Sequence, residues 1–145
     1  MEEREILEVD VLFVGAGIAS LSGALHLMNL IRSHNEKIDS GSHGKPLEEI
    51  SVAVLEKGAY VGAHNLSGAV IIPDAMQALV PDAEKTAPLE GEVTSEDVLF
   101  LTRDRTFRSP VTPPFLKNHG AYVISLSRFT KWLGDLAEES GVDIF

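Results

Sequence analysis

Apolar residues along this chain gather into short runs separated by glycine-rich or acidic stretches. Within residues 8–14, Val9, Val11, Leu12, Phe13 and Val14 form a near-continuous apolar run rich in β-branched side chains, which predicts a strand covered on both faces. Gly15 and Gly17 break that run. From Ile18 onward, Leu21, Ala24, Leu25, Met28 and Ile31 recur at helical spacing, predicting a helix that lasts to about Arg32, whose charge suits a helix C-terminus. Residues 33–49 are polar, contain Gly41, Gly44 and Pro46, and read as a frayed helix end or surface loop followed by a linker. Residues 50–55 restore a buried strand, ending at Glu56 with Gly58 just beyond. Strand, glycine turn, helix, loop and strand make a βαβ unit with parallel strands and a right-handed crossover.

Beyond that unit the periodicity weakens. Residues 59–72 are punctuated by glycine and almost uncharged, 73–80 predict a short helix opened by Pro73, and 82–97 read as an acidic loop. Residues 98–102 and 105–108 predict a hairpin across Asp104, ended by Pro110, Pro113 and Pro114. Residues 122–126 predict a strand. Ser127 is expected to cap a helix carrying Phe129, Trp132, Leu133, Leu136 and Ala137, with Gly141 closing it and 142–145 opening a further strand. A parallel layer of so few strands leaves a face uncovered, so the expectation is the front piece of a larger domain.

Composition refines this picture at three points. Residues 11–31 lack Asp, Glu, Lys and Arg and are long enough to span a bilayer, but the glycines, Ser20, Ser22, His26 and Asn29 argue for a strand followed by an amphipathic helix instead. The opening flank is acidic and arginine-poor, unlike a signal peptide or mitochondrial presequence. A formal net charge of −10 disfavours nucleic acid as a partner, and with no cysteine the chain can ligate no iron–sulfur cluster or thiolate zinc.

The chemistry-bearing motif is Gly15-Ala16-Gly17-Ile18-Ala19-Ser20, between a predicted strand and a predicted helix. There a first glycine permits a tight turn, a second lets backbone N–H groups approach a pyrophosphate, and the helix N-terminus supplies partial positive charge. Ser20 stands where close helix–strand packing usually has glycine, with Gly23 and Ala24 keeping the next turn thin. Glu56, at the end of the second strand, is the acid expected to grip a ribose hydroxyl. Its separation from Gly15 exceeds the usual spacing of about 20 residues, which the polar 33–49 segment explains. These requirements point to a dinucleotide site, against a ligand-free turn or the related turn of a nucleoside-methyl-donor enzyme, and they do not separate FAD from NAD.

The stretch that follows does separate them. Glu56-Lys57-Gly58, then Gly62-Ala63-His64-Asn65-Leu66-Ser67-Gly68-Ala69, resembles the N-terminal part of the electron-transfer flavoprotein:ubiquinone oxidoreductases, with Leu89, Asn118-His119-Gly120 and Trp132-Leu133-Gly134 recurring in matching order. Ser20, Ile18, Asn65 and Ala121 depart from the family pattern. The resemblance implies a truncated α/β, Rossmann-like FAD/NAD(P)-binding domain of the glutathione-reductase-like flavoprotein type. Its expected parts are a βαβ core at 8–58, a flavin-proximal loop at 59–72 and a hairpin and helix region at 97–145. It also implies an enzyme passing electrons from reduced electron-transfer flavoprotein through FAD and a [4Fe-4S] cluster to ubiquinone at a membrane surface. With the acidic flank, that surface is expected to be the cytoplasmic face of a bacterial inner membrane, or the mitochondrial inner membrane if the source is eukaryotic. The cluster, the quinone pocket and the membrane contact are expected outside these residues, and the fragment alone is expected to be inactive.

By the same resemblance, Gly15, Ala16, Gly17, Ile18, Ala19 and Ser20 underlie the pyrophosphate, Glu56 and Lys57 lie toward the adenosine ribose, and Gly62, His64, Ser67, Gly68 and Ala69 lie alongside the flavin. Arg128, near a helix start, is a further cofactor candidate, with a plain surface arginine as the competing reading. Electron transfer needs no catalytic triad, and His64 and His119 are too far apart in sequence to suggest a metal pair. His26, His34 and His43 read as solvated, and Phe129 and Trp132 as core. The rival functions are a reductase or monooxygenase of the same superfamily and a non-catalytic fragment.

Overall fold

The structure, a computed structural model, describes residues 6–145, so the acidic flank before Ile6 lies outside the described residues. The chain divides into two compact units: the segment up to Leu66 together with Ser127–Phe145, and Ser67–Leu126.

The first unit is built on a parallel sheet in the order β1 (Val11–Val14), β2 (Val52–Leu55), β8 (Val142–Ile144). Val52, Ala53 and Val54 of the middle strand are buried on both faces, as expected of a parallel strand lined by apolar side chains. β1 departs from its expected double burial: Leu12 and Val14 stay exposed at 53% and 76% while Val11 and Phe13 are half-buried. It is the edge strand of this sheet, paired on one side only. At the amino ends of β1 and β2, the Asp10 carboxylate accepts from Ser51 N–H at 2.8 Å and Ser51 Oγ at 2.7 Å, which pins their register.

Helix α1 (Ile18–Asp39) buries Leu21, Ala24 and Leu25, the heart of the predicted stripe, but runs about two turns past Arg32. The physical reason lies at Gly41, which takes φ +101 and ends the helix in a Schellman motif: Gly41 N–H donates to Ile38 O and Ser42 N–H to Lys37 O. The polar segment beyond is then tied back onto the helix. Asn35 accepts from Leu47 N–H at 2.8 Å and donates to Leu47 O at 3.1 Å, and His34 Nε2 lies 3.1 Å from Lys45 O.

Helix α4 (Leu126–Glu139) buries Phe129, Thr130, Leu133, Gly134 and Ala137. Trp132 packs on Phe129 with ring centroids 5.1 Å apart. The helix begins at Leu126, so Ser127 lies inside its first turn rather than capping it. Gly141, at φ +99, closes it as expected and leads into β8.

The second unit is an antiparallel sheet in the order β3 (Ala69–Ile71), β7 (Tyr122–Ile124), β4 (Leu89–Glu92), with helices α2 (Pro73–Leu79) and α3 (Ala83–Thr86). Two expectations change here. The presumed loop at 59–72 contains β3, and the presumed acidic loop at 82–97 contains α3 and β4, whose alternate Leu89 pairs with Ile124 although its other residues are polar or glycine. Proline at the start of α2 is as predicted. The predicted hairpin forms as β5 (Leu99–Leu101) and β6 (Thr106–Arg108), with Arg108 bonded to Asp97 and all six strand residues exposed.

Candidate functional site

The site is assembled at the carboxyl ends of β1 and β2, where the glycine turn meets the acid. Gly15 N–H still belongs to the ladder, donating to Leu55 O at 2.7 Å, but its φ of +89 turns the chain away from the sheet. Ala16 is buried, Gly17 is the N-cap residue of α1 with φ −82 and ψ 167, and the first intrahelical bond runs from Leu21 N–H to Gly17 O. The N–H groups of Ile18, Ala19 and Ser20 therefore lie in the unpaired first turn. No acidic residue stands in that turn and no side chain caps it, so the partial positive charge of the helix end is left for an anion. A Cβ built on Gly15 or Gly17 would meet nothing within 4 Å, which leaves space for a ligand to approach the backbone itself. These residues fit the diphosphate of a dinucleotide.

Close helix–strand packing was expected near Ser20, with Gly23 in support. The tight contact is at Gly23: a Cβ there would fall 3.0 Å from Phe13 Cε1, so the Phe13 ring of β1 lies directly against α1. Gly23 keeps the helix close to the strand, and Ser20 is half-buried.

Glu56 is carried by the sheet. Its own N–H donates to Phe145 O at 2.6 Å, and Phe145 N–H donates to Val54 O at 2.9 Å, so the β2–β8 ladder fixes the residue's backbone. The half-buried carboxylate then accepts from two backbone groups: Ala16 N–H to Oε2 at 2.8 Å and Gly58 N–H to Oε1 at 2.7 Å. These two bonds, Gly58's first, hold the carboxyl below the ordinary glutamate range; burial opposes them, while His64 and Lys57 add to the lowering. Because each oxygen accepts one of these bonds and a carboxylate oxygen can take two, acceptor capacity remains for ribose hydroxyls. The bond from Ala16 also commits one N–H of the turn, leaving the diphosphate to the N–H groups after it.

The surroundings complete an open cleft of about 380 Å³ lined by Val14, Gly15, Leu55, Glu56 and Lys57. His64 Nδ1 lies 4.0 Å from Glu56 Oε1, and its side chain is largely exposed. Gly62 is buried beside α4, and Arg128 stands exposed in that helix's first turn. The first unit carries Gly15 to Ser20, Glu56, Lys57, Gly62, His64 and Arg128; of these Gly15, Ala16, Lys57 and His64 meet around Glu56, while Gly62 packs against the Ser127 carbonyl on α4. Ser67, Gly68 and Ala69 belong to the second unit, where Gly68 takes φ +86 and Ala69 opens β3 opposite Ile124. His119, also in the second unit, lies 3.2 Å through Nδ1 from Thr94 O. Among the described residues no group of three His, Asp or Glu side chains is placed to hold a metal.

Sequence reasoning missed Gly58 as the second donor to Glu56, and Asn65, whose Nδ2 donates to the buried Thr130 Oγ1 at 2.6 Å. Gly58 had a signal, a glycine two residues after a strand-end acid. Asn65 and Thr130 are far apart in sequence and had none.

No family model matches the chain. Among curated proteins it is 43% identical over 143 residues to a mitochondrial electron transfer flavoprotein-ubiquinone oxidoreductase of Dictyostelium discoideum, covering 98% of this chain and 22% of the relative. It is 46% identical over 143 residues to the mitochondrial protein of that name from Arabidopsis thaliana, covering 98% and 20%. A probable bacterial member from Acinetobacter baylyi is 43% identical over 147 residues, covering 99% and 24%. The chain therefore spans about a fifth to a quarter of the length of these relatives.

Among solved structures it is similar to FqzB, with a TM-score of 0.58 at 19% identity over 94% of this chain and 28% of that one. It is similar to a geranylgeranyl bacteriochlorophyll reductase-like protein of Thermoplasma acidophilum, at 0.56 and 18% over 94% and 29%. A third likeness is to aklavinone-11 hydroxylase, solved with FAD and aklavinone, at 0.52 and 21% over 98% and 26%. These likenesses place the chain in the α/β, Rossmann-like FAD/NAD(P)-binding fold. With that fold and the matches across a slime mould, a plant and a bacterium, the chain belongs to the electron transfer flavoprotein-ubiquinone oxidoreductase family.

Proposed function

We propose that these residues form the nucleotide-holding part of an FAD site in an oxidoreductase that passes electrons from reduced electron-transfer flavoprotein to ubiquinone. The observation that carries the reading is the glycine turn with open space at Gly15 and Gly17, joined to the strand-end acid by the bond from Ala16 N–H to Glu56 Oε2. In this reading the first-turn N–H groups of α1 bind the diphosphate. Glu56 orients the adenosine ribose, Lys57 borders it, and the exposed apolar surfaces of Val14 and Leu55 flank the cleft that takes the adenosine end. Gly62 and His64, with Arg128 and with Ser67, Gly68 and Ala69, are assigned to the flavin end on the family resemblance. When bound, FAD supplies the reversible electron acceptor, and the protein supplies placement and electrostatics.

A [4Fe-4S] cluster does not fit this chain, which has no cysteine to ligate one, so any cluster of the whole enzyme is held by residues outside it. Ubiquinone and the contact with a membrane surface, at the bacterial inner membrane or the mitochondrial inner membrane, are assigned to the whole enzyme on its family's name. No helix among the described residues is long and apolar enough to cross a membrane.

The test is an absorbance spectrum of the intact polypeptide that carries these residues, after incubation with excess FAD and gel filtration. Flavin bands are expected to co-elute with the unmodified protein. They are expected to vanish in Gly17→Val, a variant that keeps its fold because φ −82 is open to any residue and the space beside Gly17 is empty. A folded Gly17→Val protein still fully loaded with flavin refutes the placement. Reduction of a ubiquinone analogue by reduced electron-transfer flavoprotein, present in the unmodified protein and lost with the flavin, tests the reaction.

A further inference from the structure

The cofactor reading gives no role to Asn65, yet the segment it ends is fastened at every step within the first unit. Val61 packs so closely on α4 that a Cβ on Gly134 would fall 3.0 Å from Val61 Cγ1. Gly62 takes φ +90, and a Cβ there would fall 2.5 Å from the Ser127 carbonyl oxygen. Asn65 Nδ2 donates at 2.6 Å to the hydroxyl of Thr130, the one polar side chain among the fully buried described residues. Two turn bonds, Ala63 N–H to Tyr60 O at 3.1 Å and Asn65 N–H to Gly62 O at 3.2 Å, stiffen the stretch between.

The other face of this segment meets the nucleotide site. A Cβ on Gly58 would lie 3.3 Å from His64 Cε1 and 3.4 Å from Ala63 Cβ, so Ala63 and His64 rest directly on Gly58. Gly58 in turn donates its N–H to Glu56 Oε1. A continuous path of contacts therefore runs from the core of α4, through Asn65 and its neighbours, to the carboxylate that also holds the glycine turn.

We infer that Asn65 is a positioning residue for the nucleotide site: its bond to Thr130 fixes segment 58–65 on α4, and that segment fixes the Gly58 N–H that aims Glu56. The inference rests on the proposal that Glu56 faces the FAD ribose. The amide is required because its Nδ2 is the donor that ties the segment to the buried Thr130 hydroxyl, and a side chain of similar shape without a donor loses that bond.

Flavin-fluorescence titration with FAD, on the intact polypeptide, tests this with Asn65→Leu, Glu56→Gln and the double variant. Asn65→Leu is expected to weaken FAD binding roughly fivefold, the worth of one ordinary hydrogen bond. The double variant is expected to bind no more weakly than the weaker single, because both act on one contact. Thr130→Val is expected to reproduce the Asn65→Leu loss and Thr130→Ser, which keeps the hydroxyl, to retain near-normal affinity; this pair carries the test if Asn65→Leu does not fold.

Additive losses in the double variant overturn the inference, as does a lower Tm with unchanged FAD affinity, the signature of a merely structural bond. If Glu56→Gln leaves affinity intact while Asn65→Leu lowers it, the ribose assignment fails and the route through Glu56 fails with it. Affinity lost in Glu56→Gln and unchanged in Asn65→Leu overturns the positioning role alone and leaves the FAD site standing.

Discussion

β2 and β7 hold equivalent places, each the middle strand of a three-stranded sheet, yet they are built to different rules. β2 is parallel to both neighbours and buries Val52, Ala53 and Val54 on both faces, whereas antiparallel β7 buries Ile124 and leaves Val123 40% exposed. The difference follows from what covers them. A crossover helix must lie over a parallel sheet, while an antiparallel sheet can keep one face in water. The glycines follow the same division. Gly62, in the first unit, takes φ +90 with a backbone carbonyl against it, and Gly68, in the second, takes φ +86 with nothing within 4 Å. The proposed nucleotide site is thus mounted on the tightly packed unit, where small displacements are resisted.

The sharpest way to break this contrast is a matched pair of substitutions. Gly62→Ala incurs both the left-handed backbone and a collision with Ser127 O, and is expected to destabilise the first unit by about 3–4 kcal/mol. Gly68→Ala incurs the backbone term alone, about 1 kcal/mol. Urea unfolding followed by Trp132 fluorescence and by far-ultraviolet dichroism measures both, since the chain's one tryptophan lies in the first unit. Equal losses would mean that the packing against α4 contributes nothing.

A second pair compares the middle strands at constant chemistry. Val54→Ala removes two methyl groups from a fully buried position and is expected to cost about 2–3 kcal/mol. Val123→Ala removes the same atoms from a half-wet face and is expected to cost less than about 1 kcal/mol. Hydrogen exchange at β2 and β7 amides checks each loss locally. A Val123 effect as large as Val54's would show that β7 is covered on its outer face.

The same contrast explains what the sequence disclosed. β1, α1 and β2 carry strong local signals: β-branched runs, a helical stripe and a glycine turn between them. β4 does not, because Leu89-Glu90-Gly91-Glu92 has no apolar period and becomes a strand only through pairing with β7, while the short run Ala69-Val70-Ile71 of β3 is lost in a glycine-punctuated stretch. The apolar pattern ends α1 too early, near Arg32, because the polar composition beyond it hides the Schellman role of Gly41. In the site, the glycine turn was readable from its pattern and Glu56 from its place at the end of the second strand, despite an unusual spacing between them, since strand ends are fixed by the sheet. The bonds that lock Glu56 depend on which backbone N–H groups the turn exposes, and residue types do not reveal that.

The smallest expected effect asks whether that lock behaves as one device, through its pH dependence. The Glu56 carboxyl titrates lower in the folded chain than in the unfolded one, chiefly because Gly58 and then Ala16 donate to its charged form. The unfolded chain therefore binds more protons in the acid range, and stability rises with pH there. The contribution is fully present above the ordinary glutamate value and is lost as pH falls through the lower folded value. Asp10 is lowered in the same direction by Ser51, so acid weakens both ends of the sheet and a single titration does not separate them. The difference between the unmodified protein and Glu56→Gln does, because Asp10 and Ser51 are common to both. Urea midpoints followed by Trp132 fluorescence are expected to diverge at neutral pH and to converge as the acid range is descended, with Glu56→Gln the flatter curve. Parallel curves would mean that the carboxylate's charge adds nothing to the hold on the glycine turn. Convergence would show that Ala16 and Gly58 grip the charged form, the form with the most acceptor capacity left for the ribose hydroxyls of the proposed site.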